Sequence, residues 1–68
     1  MLNENAIMVN IKRGRESLGL EPSEMADRLG VELRVYKQYE SGVKTPGNKM
    51  LFRIADAFGK TVDELNRD

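Results

Sequence analysis

The chemistry this sequence can offer is concentrated in residues 32–42, ELRVYKQYESG. On a helix, successive side chains step about 100° round the axis, as 3.6 residues per turn requires. Arg34, Lys37, Gln38 and Ser41 therefore share one side, and Tyr36, Tyr39 and Glu40 share the opposite one. The first side is a row of hydrogen-bond donors and acceptors able to read the edges of a groove; the second is suited to packing. Composition removes other options. There is no Cys and no His, so disulfides, thiolate and imidazole metal ligands and the usual general base are missing. No phosphate loop, paired-carboxylate cleft or nucleophile beside a base appears. With 68 residues the chain is too short to build a deep pocket. These features argue against an enzyme and against a bound metal or cofactor.

The rest of the chain has to position that stretch. Residues 22–29 carry Met25, Ala26 and Leu29 on one narrow apolar face, and Gly30-Val31 forms a tight turn into the helix over 32–41. Two helices joined by a short turn containing Gly make the helix-turn-helix pattern, whose second helix enters the DNA major groove. Pro22 suits the first helical position. That leaves Glu21 as a poor cap, with Ser23 as an alternative. Upstream, a helix over about 6–18 places Ile7, Ile11, Gly14 and Leu18 on its inner stripe, and Gly19 ends it. A mid-helix Gly costs about 1 kcal/mol against Ala, so at Gly14 either another helix passes close or a bulky residue such as Tyr36 or Phe52 fills the space, and the second is the expectation. Glu40 projects toward the packed side, where a carboxylate without a partner is costly. Arg15 is its expected partner, in a structural ion pair.

Residues 41–48, SGVKTPGN, read as a loop, with Asn48 as the cap of the next helix. That helix, about 48–58, buries Leu51, Ile54, Ala55 and Phe58. Thr61 and Glu64 form a capping box for a last helix over 61–66 that buries Val62 and Leu65. Residues 1–5 are short and polar and read as a flexible, frayed arm. No segment alternates with period two, so the expectation is one all-α domain of five helices over 6–66.

Eleven basic residues balance eleven acidic ones. A nucleic-acid binder usually carries a basic excess, so here the two signs must be segregated in space. Lys12, Arg13 and Arg15 form one basic cluster. The apolar runs are too short for a signal peptide or a membrane span, and the default is a cytoplasmic protein. Phe52, Val62 and Met50 are an apolar surplus for so small a core, which suggests a homodimer through the fourth and fifth helices.

Taken in order, Arg15, Gly19-Leu20, Met25-Ala26, Leu29-Gly30-Val31, Tyr36, Tyr39-Glu40-Ser41-Gly42, Pro46, Leu51, Ile54-Ala55, Phe58-Gly59 and Val62-Asp63-Glu64-Leu65 resemble the phage repressor and Cro family of helix-turn-helix domains (XRE-type, Cro/C1-type). The resemblance covers about 7–65. It implies a compact, lambda-repressor-like five-helix domain, often homodimeric, that binds a double-stranded DNA operator and regulates transcription, commonly as a repressor. It implies the Arg15–Glu40 pair as well. By position it assigns base contacts to Leu33, Arg34, Lys37 and Gln38. Arg34 suits guanine O6 and N7, Gln38 suits adenine N6 and N7, and Leu33 suits a thymine methyl. Ser23, Ser41, Lys44 and Lys49 are the implied phosphate contacts, together with the backbone N–H groups opening the second and fourth helices.

Several positions depart from the family pattern. Pro22 stands where a phosphate-donating Gln is common, and Gly14 and Lys60 replace apolar residues. Glu21, Glu24 and Glu32 lie near the implied DNA face. These features imply modest affinity from a single domain and dependence on dimerisation. A second class of function uses the same fold for protein contact, as an antitoxin-like partner or adaptor docking through the acid-rich second helix.

Overall fold

The computed structural model describes residues 2–67. The first helix, α1 (Glu4–Ser17), starts earlier than the apolar spacing suggests. Asn3 is the reason: its side-chain oxygen accepts from the Ala6 N–H at 3.1 Å, satisfying one of the free donors of the first turn. Its own N–H donates to Asn66 Oδ1 at 2.6 Å. The expected arm is thus, from Glu4 on, part of a capped helix; Met1 lies outside the described residues. Ala6, Ile7, Ile11 and Arg15 are buried. Leu18 is not: it caps the helix and is 45% exposed, contrary to the stripe drawn through it.

Next come α2 (Pro22–Leu29) and α3 (Leu33–Ser41). Pro22 opens α2 with Glu21 as the cap residue, so the alternative start at Ser23 is not taken. The Glu24 carboxylate accepts from the Glu21 N–H at 2.9 Å. Gly30 stops α2 at φ 71°, a left-handed conformation that costs glycine little. The chain then turns so that the Val31 N–H reaches the Ala26 carbonyl at 3.0 Å.

The fourth helix, α4 (Asn48–Ala57), is capped by Gly47, which makes Asn48 its first residue and not its cap. A single turn, α5 (Val62–Leu65), closes the fold. There the expected capping box is present: Thr61 Oγ1 accepts from the Glu64 N–H at 3.1 Å, and Glu64 Oε1 accepts from the Thr61 N–H at 2.9 Å. The Thr61 backbone donor holds the Glu64 carboxyl below its usual range, and the Thr61 hydroxyl adds to that. No strand occurs among the described residues.

The core is one cluster. Ile7 and Ile11 of α1, Met25, Ala26 and Leu29 of α2, Tyr36 and Tyr39 of α3, Leu51, Ile54 and Ala55 of α4 and Leu65 of α5 meet in it. Leu20, Val31, Val35, Met50, Phe58 and Val62 pack round its edge. In this arrangement α3 lies against both α1 and α2 and is the helix whose orientation the others determine. Gly14 does face a bulky ring, but the ring is that of Phe58, not Tyr36 or Phe52. A Cβ there would sit 2.7 Å from Phe58 Cζ, inside van der Waals contact. Phe52 instead points outward, 70% exposed.

Candidate nucleic-acid interface

The back of α3 fixes its rotation. Tyr36 is fully buried and Tyr39 nearly so. Between them and α1 lies the expected ion pair. Arg15 Nε donates to Glu40 Oε2 at 2.6 Å and Nη2 donates to Glu40 Oε1 at 3.2 Å, a two-pronged contact that matches the guanidinium fork to the carboxylate. A third guanidinium nitrogen, Nη1, donates to the Leu20 carbonyl at 2.7 Å. The Tyr36 hydroxyl donates to Glu40 Oε2 as well. No buried side-chain polar atom among the described residues is left without a partner.

Because of this network the Arg15 guanidinium is held more firmly protonated: its hydrogen bond to Glu40 outweighs the cost of desolvation. The Tyr36 hydroxyl is pushed well above its ordinary value by burial first, and then by its hydrogen bond to the Glu40 carboxylate. Both shifts keep the charge state that the contacts need. The Leu20 carbonyl holds the Arg15 guanidinium and the Tyr36 hydroxyl holds the Glu40 carboxylate, so that α3 cannot roll about its axis without breaking the two Arg15–Glu40 hydrogen bonds.

The opposite side of α3 is therefore turned outward. Leu33, Arg34, Lys37, Gln38 and Ser41 line one shallow hollow of about 530 Å³. All four base-contact candidates are among them. Leu33 is 39% exposed and supplies an apolar surface at the leading end of the helix; Gln38 is half-buried. The Ser41 hydroxyl donates to the Gln38 carbonyl at 3.3 Å, so it would have to turn away from its own helix to meet a phosphate. Ser23, Lys44 and Lys49 are exposed but lie outside the hollow. Lys44 is nevertheless tied to it, since its N–H donates to the Gln38 carbonyl at 3.2 Å as the chain turns back beyond Gly42.

Three features escaped the sequence. The Tyr36 hydroxyl completes the buried network, for which the i, i+4 spacing of Tyr36 and Glu40 is a usable signal. Val43, 74% exposed, stands beside Lys44 at the C-terminal end of α3. Glu32 is expected near the DNA face, but its contact with Arg34 Nη2 at 3.9 Å, with both side chains 80% exposed, is not. Elsewhere, Phe52 is exposed while Met50 and Val62 are half-buried, leaving part of the apolar surplus on α4 and α5 uncovered. No helix among the described residues is long and apolar enough to cross a membrane.

A polar helix turned outward, held from behind and entered through a glycine turn from a shorter partner, defines a helix-turn-helix domain. The helix-turn-helix family model matches residues 11–65, and the chain belongs to that family, in its XRE-type form. It is 41% identical over 51 residues to the cryptic phage CTXphi transcriptional repressor RstR of Vibrio cholerae serotype O1, covering 75% of this chain and 46% of the relative. It is 34% identical over 56 residues to the uncharacterized HTH-type transcriptional regulator YqaE of Bacillus subtilis, covering 82% and 48%. To endothelial differentiation-related factor 1 of Rattus norvegicus it is 39% identical over 49 residues, covering 72% and 33%. The chain spans less than half the length of each of these relatives. No solved structure matches it at a significant level.

Proposed function

We propose that this chain is a sequence-specific DNA-binding transcriptional regulator of the repressor type, acting in the cytoplasm with α3 in the major groove of its operator. One observation carries the reading: the outward face of α3 lines an open hollow, with Leu33, Arg34, Lys37 and Ser41 exposed and Gln38 half-buried, while its inward face is held by the Arg15–Glu40 pair. In this reading Arg34 donates its fork to guanine, Gln38 pairs with adenine, Leu33 meets a thymine methyl and Lys37 reaches a base edge. Ser23, Ser41, Lys44 and Lys49 meet phosphates and set the register. The names of the Vibrio and Bacillus relatives support transcriptional regulation.

The same proposal includes a homodimer formed through α4 and α5 round Phe52, which would place two recognition helices on half-sites about 34–36 Å apart. Sedimentation at micromolar concentration in the presence of a selected duplex should show two chains per duplex; one chain at every ratio would remove the dimer. The central test is selection of bound duplexes from a randomised pool, repeated with Arg34→Ala. Wild-type protein should enrich a palindromic site, and the variant should lose preference at one position per half-site. Raising the salt separates this reading from a protein-docking role: DNA affinity should fall steeply with salt, whereas an apolar protein interface would barely respond.

A further inference from the structure

Glu32 occupies the cap position of α3, with extended backbone at φ −68° and ψ 147°, yet its side chain makes no cap hydrogen bond. Asn3 and Thr61, in the same role on α1 and α5, both cap with their side chains. The Glu32 carboxylate leans toward Arg34 instead, 3.9 Å from its guanidinium, with both groups largely in water. A pair so exposed contributes little to stability. Placed there, a carboxylate also opposes the approach of any phosphate to the first turn of α3. The helix dipole favours an acid at this end of α3, but nothing in the fold requires the carboxylate to lean toward Arg34.

The geometry points to Glu32 as a specificity-determining residue that reads one base pair jointly with Arg34, an inference that rests on the DNA-binding reading above. In the major groove a G·C pair presents two adjacent acceptors, guanine N7 and O6, followed by one donor, the cytosine N4 amino group. The Arg34–Glu32 pair presents the complement: a two-donor fork followed by an acceptor-only carboxylate. Guanine alone offers the two adjacent acceptors, and its partner cytosine then places an N–H next to them. The pair is hydrated and loosely held, so when Arg34 docks on guanine the neighbouring carboxylate is free to exchange water for the cytosine amino group. On an A·T pair in the same orientation the carboxylate faces thymine O4, and on a phosphate it faces charged oxygens, so it loses water without gaining a donor, which is unfavourable. Glu32 thereby lowers affinity for DNA at large and spares the one pair that complements it. This gives the exposed acid at the leading end of α3 a task in a chain of zero net charge.

The test uses the duplex that wild-type protein enriches from a randomised pool, a mixed-sequence duplex of the same length, and a third duplex. In that third duplex, the cytosine opposite the Arg34-dependent guanine is replaced by 2-pyrimidinone, which lacks the N4 amino group. The replacement should weaken wild-type binding about tenfold and Glu32→Ala binding by less than about twofold. Glu32→Ala should bind the mixed-sequence duplex about threefold more tightly than wild type. Glu32→Gln, which keeps a carbonyl acceptor and loses the charge, should retain the penalty at 2-pyrimidinone and share the gain on mixed sequence. A helical circular-dichroism melt shows whether each variant is folded, as this exposed position predicts. Equal penalties at 2-pyrimidinone in wild type and Glu32→Ala, or weaker binding of Glu32→Ala to every duplex alike, overturn the inference. A wild-type site without an Arg34-dependent G·C pair removes the joint reading and leaves DNA binding intact. A pool in which nothing is enriched removes both.

Discussion

Helix α3 carries two arginine–glutamate pairs that differ in almost every physical respect. Behind it, Arg15 and Glu40 have side chains only 11% and 13% exposed, meet through two hydrogen bonds and share their remaining valences with Leu20 and Tyr36. In front, Arg34 and Glu32 are 80% exposed and touch at 3.9 Å through one nitrogen. Both contacts are ion pairs, and their consequences are opposite. The rear pair is out of water and must remain made, so it sets the geometry. The front pair stays hydrated and releases easily, so it remains available to something outside the protein. The difference locates rigidity on one side of α3 and recognition on the other.

The largest expected effect breaks the rear pair. Arg15→Ala leaves the Glu40 carboxylate without its counter-charge and should cost about 3–5 kcal/mol in urea denaturation. A domain of this size has on the order of 3–10 kcal/mol in total, so a large part of the population should unfold. Replacing both partners, Arg15→Met with Glu40→Leu, should recover part of that loss, since an apolar pair needs no desolvation while the Tyr36 hydroxyl and Leu20 carbonyl lose their partners. A double variant as unstable as the single one would mean that the pair acts by more than charge balance.

Smaller and more specific is Tyr36→Phe, expected to cost about 1.5–3 kcal/mol by removing one hydrogen bond to the charged Glu40 carboxylate. It also bears on pH. The folded state raises the Tyr36 pKa, so its contribution is fully present below the unfolded value of about 10. It is lost as pH rises from there through the folded value. Wild type should lose stability above about pH 10, and Tyr36→Phe should show a flatter alkaline limb in the same pH-dependent melts.

Gly14→Ala tests how tightly the helix that holds Arg15 is packed. The methyl group collides with Phe58 and should cost about 1–3 kcal/mol, offset by about 1 kcal/mol of helix propensity. Combined with Phe58→Leu, the methyl should be tolerated better than alone. At the small end, Arg34→Ala should change the denaturation midpoint by less than about 0.5 kcal/mol while altering the selected DNA. A substantial loss of stability there would end the contrast between the two faces.

How far the sequence reached follows from the range of each determinant. The rear pair was legible because Tyr36, Tyr39 and Glu40 share a helical face, and a carboxylate on a packed face demands a cation. The Thr61–Glu64 capping box lies within four residues and was equally legible. Leu18 was misplaced because the periodic stripe was carried past the end of α1 at Ser17. The start of α1 was missed because the apolar stripe begins only at Ala6 and Ile7, although Asn3 caps the helix locally; its tie to Asn66, 63 residues away, leaves no local pattern. Asn10 shows the same blind spot: its Nδ2 donates to the Leu65 and Arg67 carbonyls at 2.9 and 2.6 Å, and no local pattern marks it. The occupant of the space at Gly14 depended on how α1 meets the end of α4. On the outward face the residue types were legible, but the lean of Glu32 toward Arg34 needed coordinates.

The buried hydroxyl of Tyr36 has a practical consequence. The protein has no Trp and only two tyrosines, and both sit on the inward side of α3. Near-ultraviolet absorption and emission thus arise almost entirely behind the recognition helix, from one phenol bonded to a carboxylate and a second in the adjoining core. Loosening of that helix would register as a change in intrinsic fluorescence without any label, while ligands arriving at the outer surface approach from the far side of both chromophores.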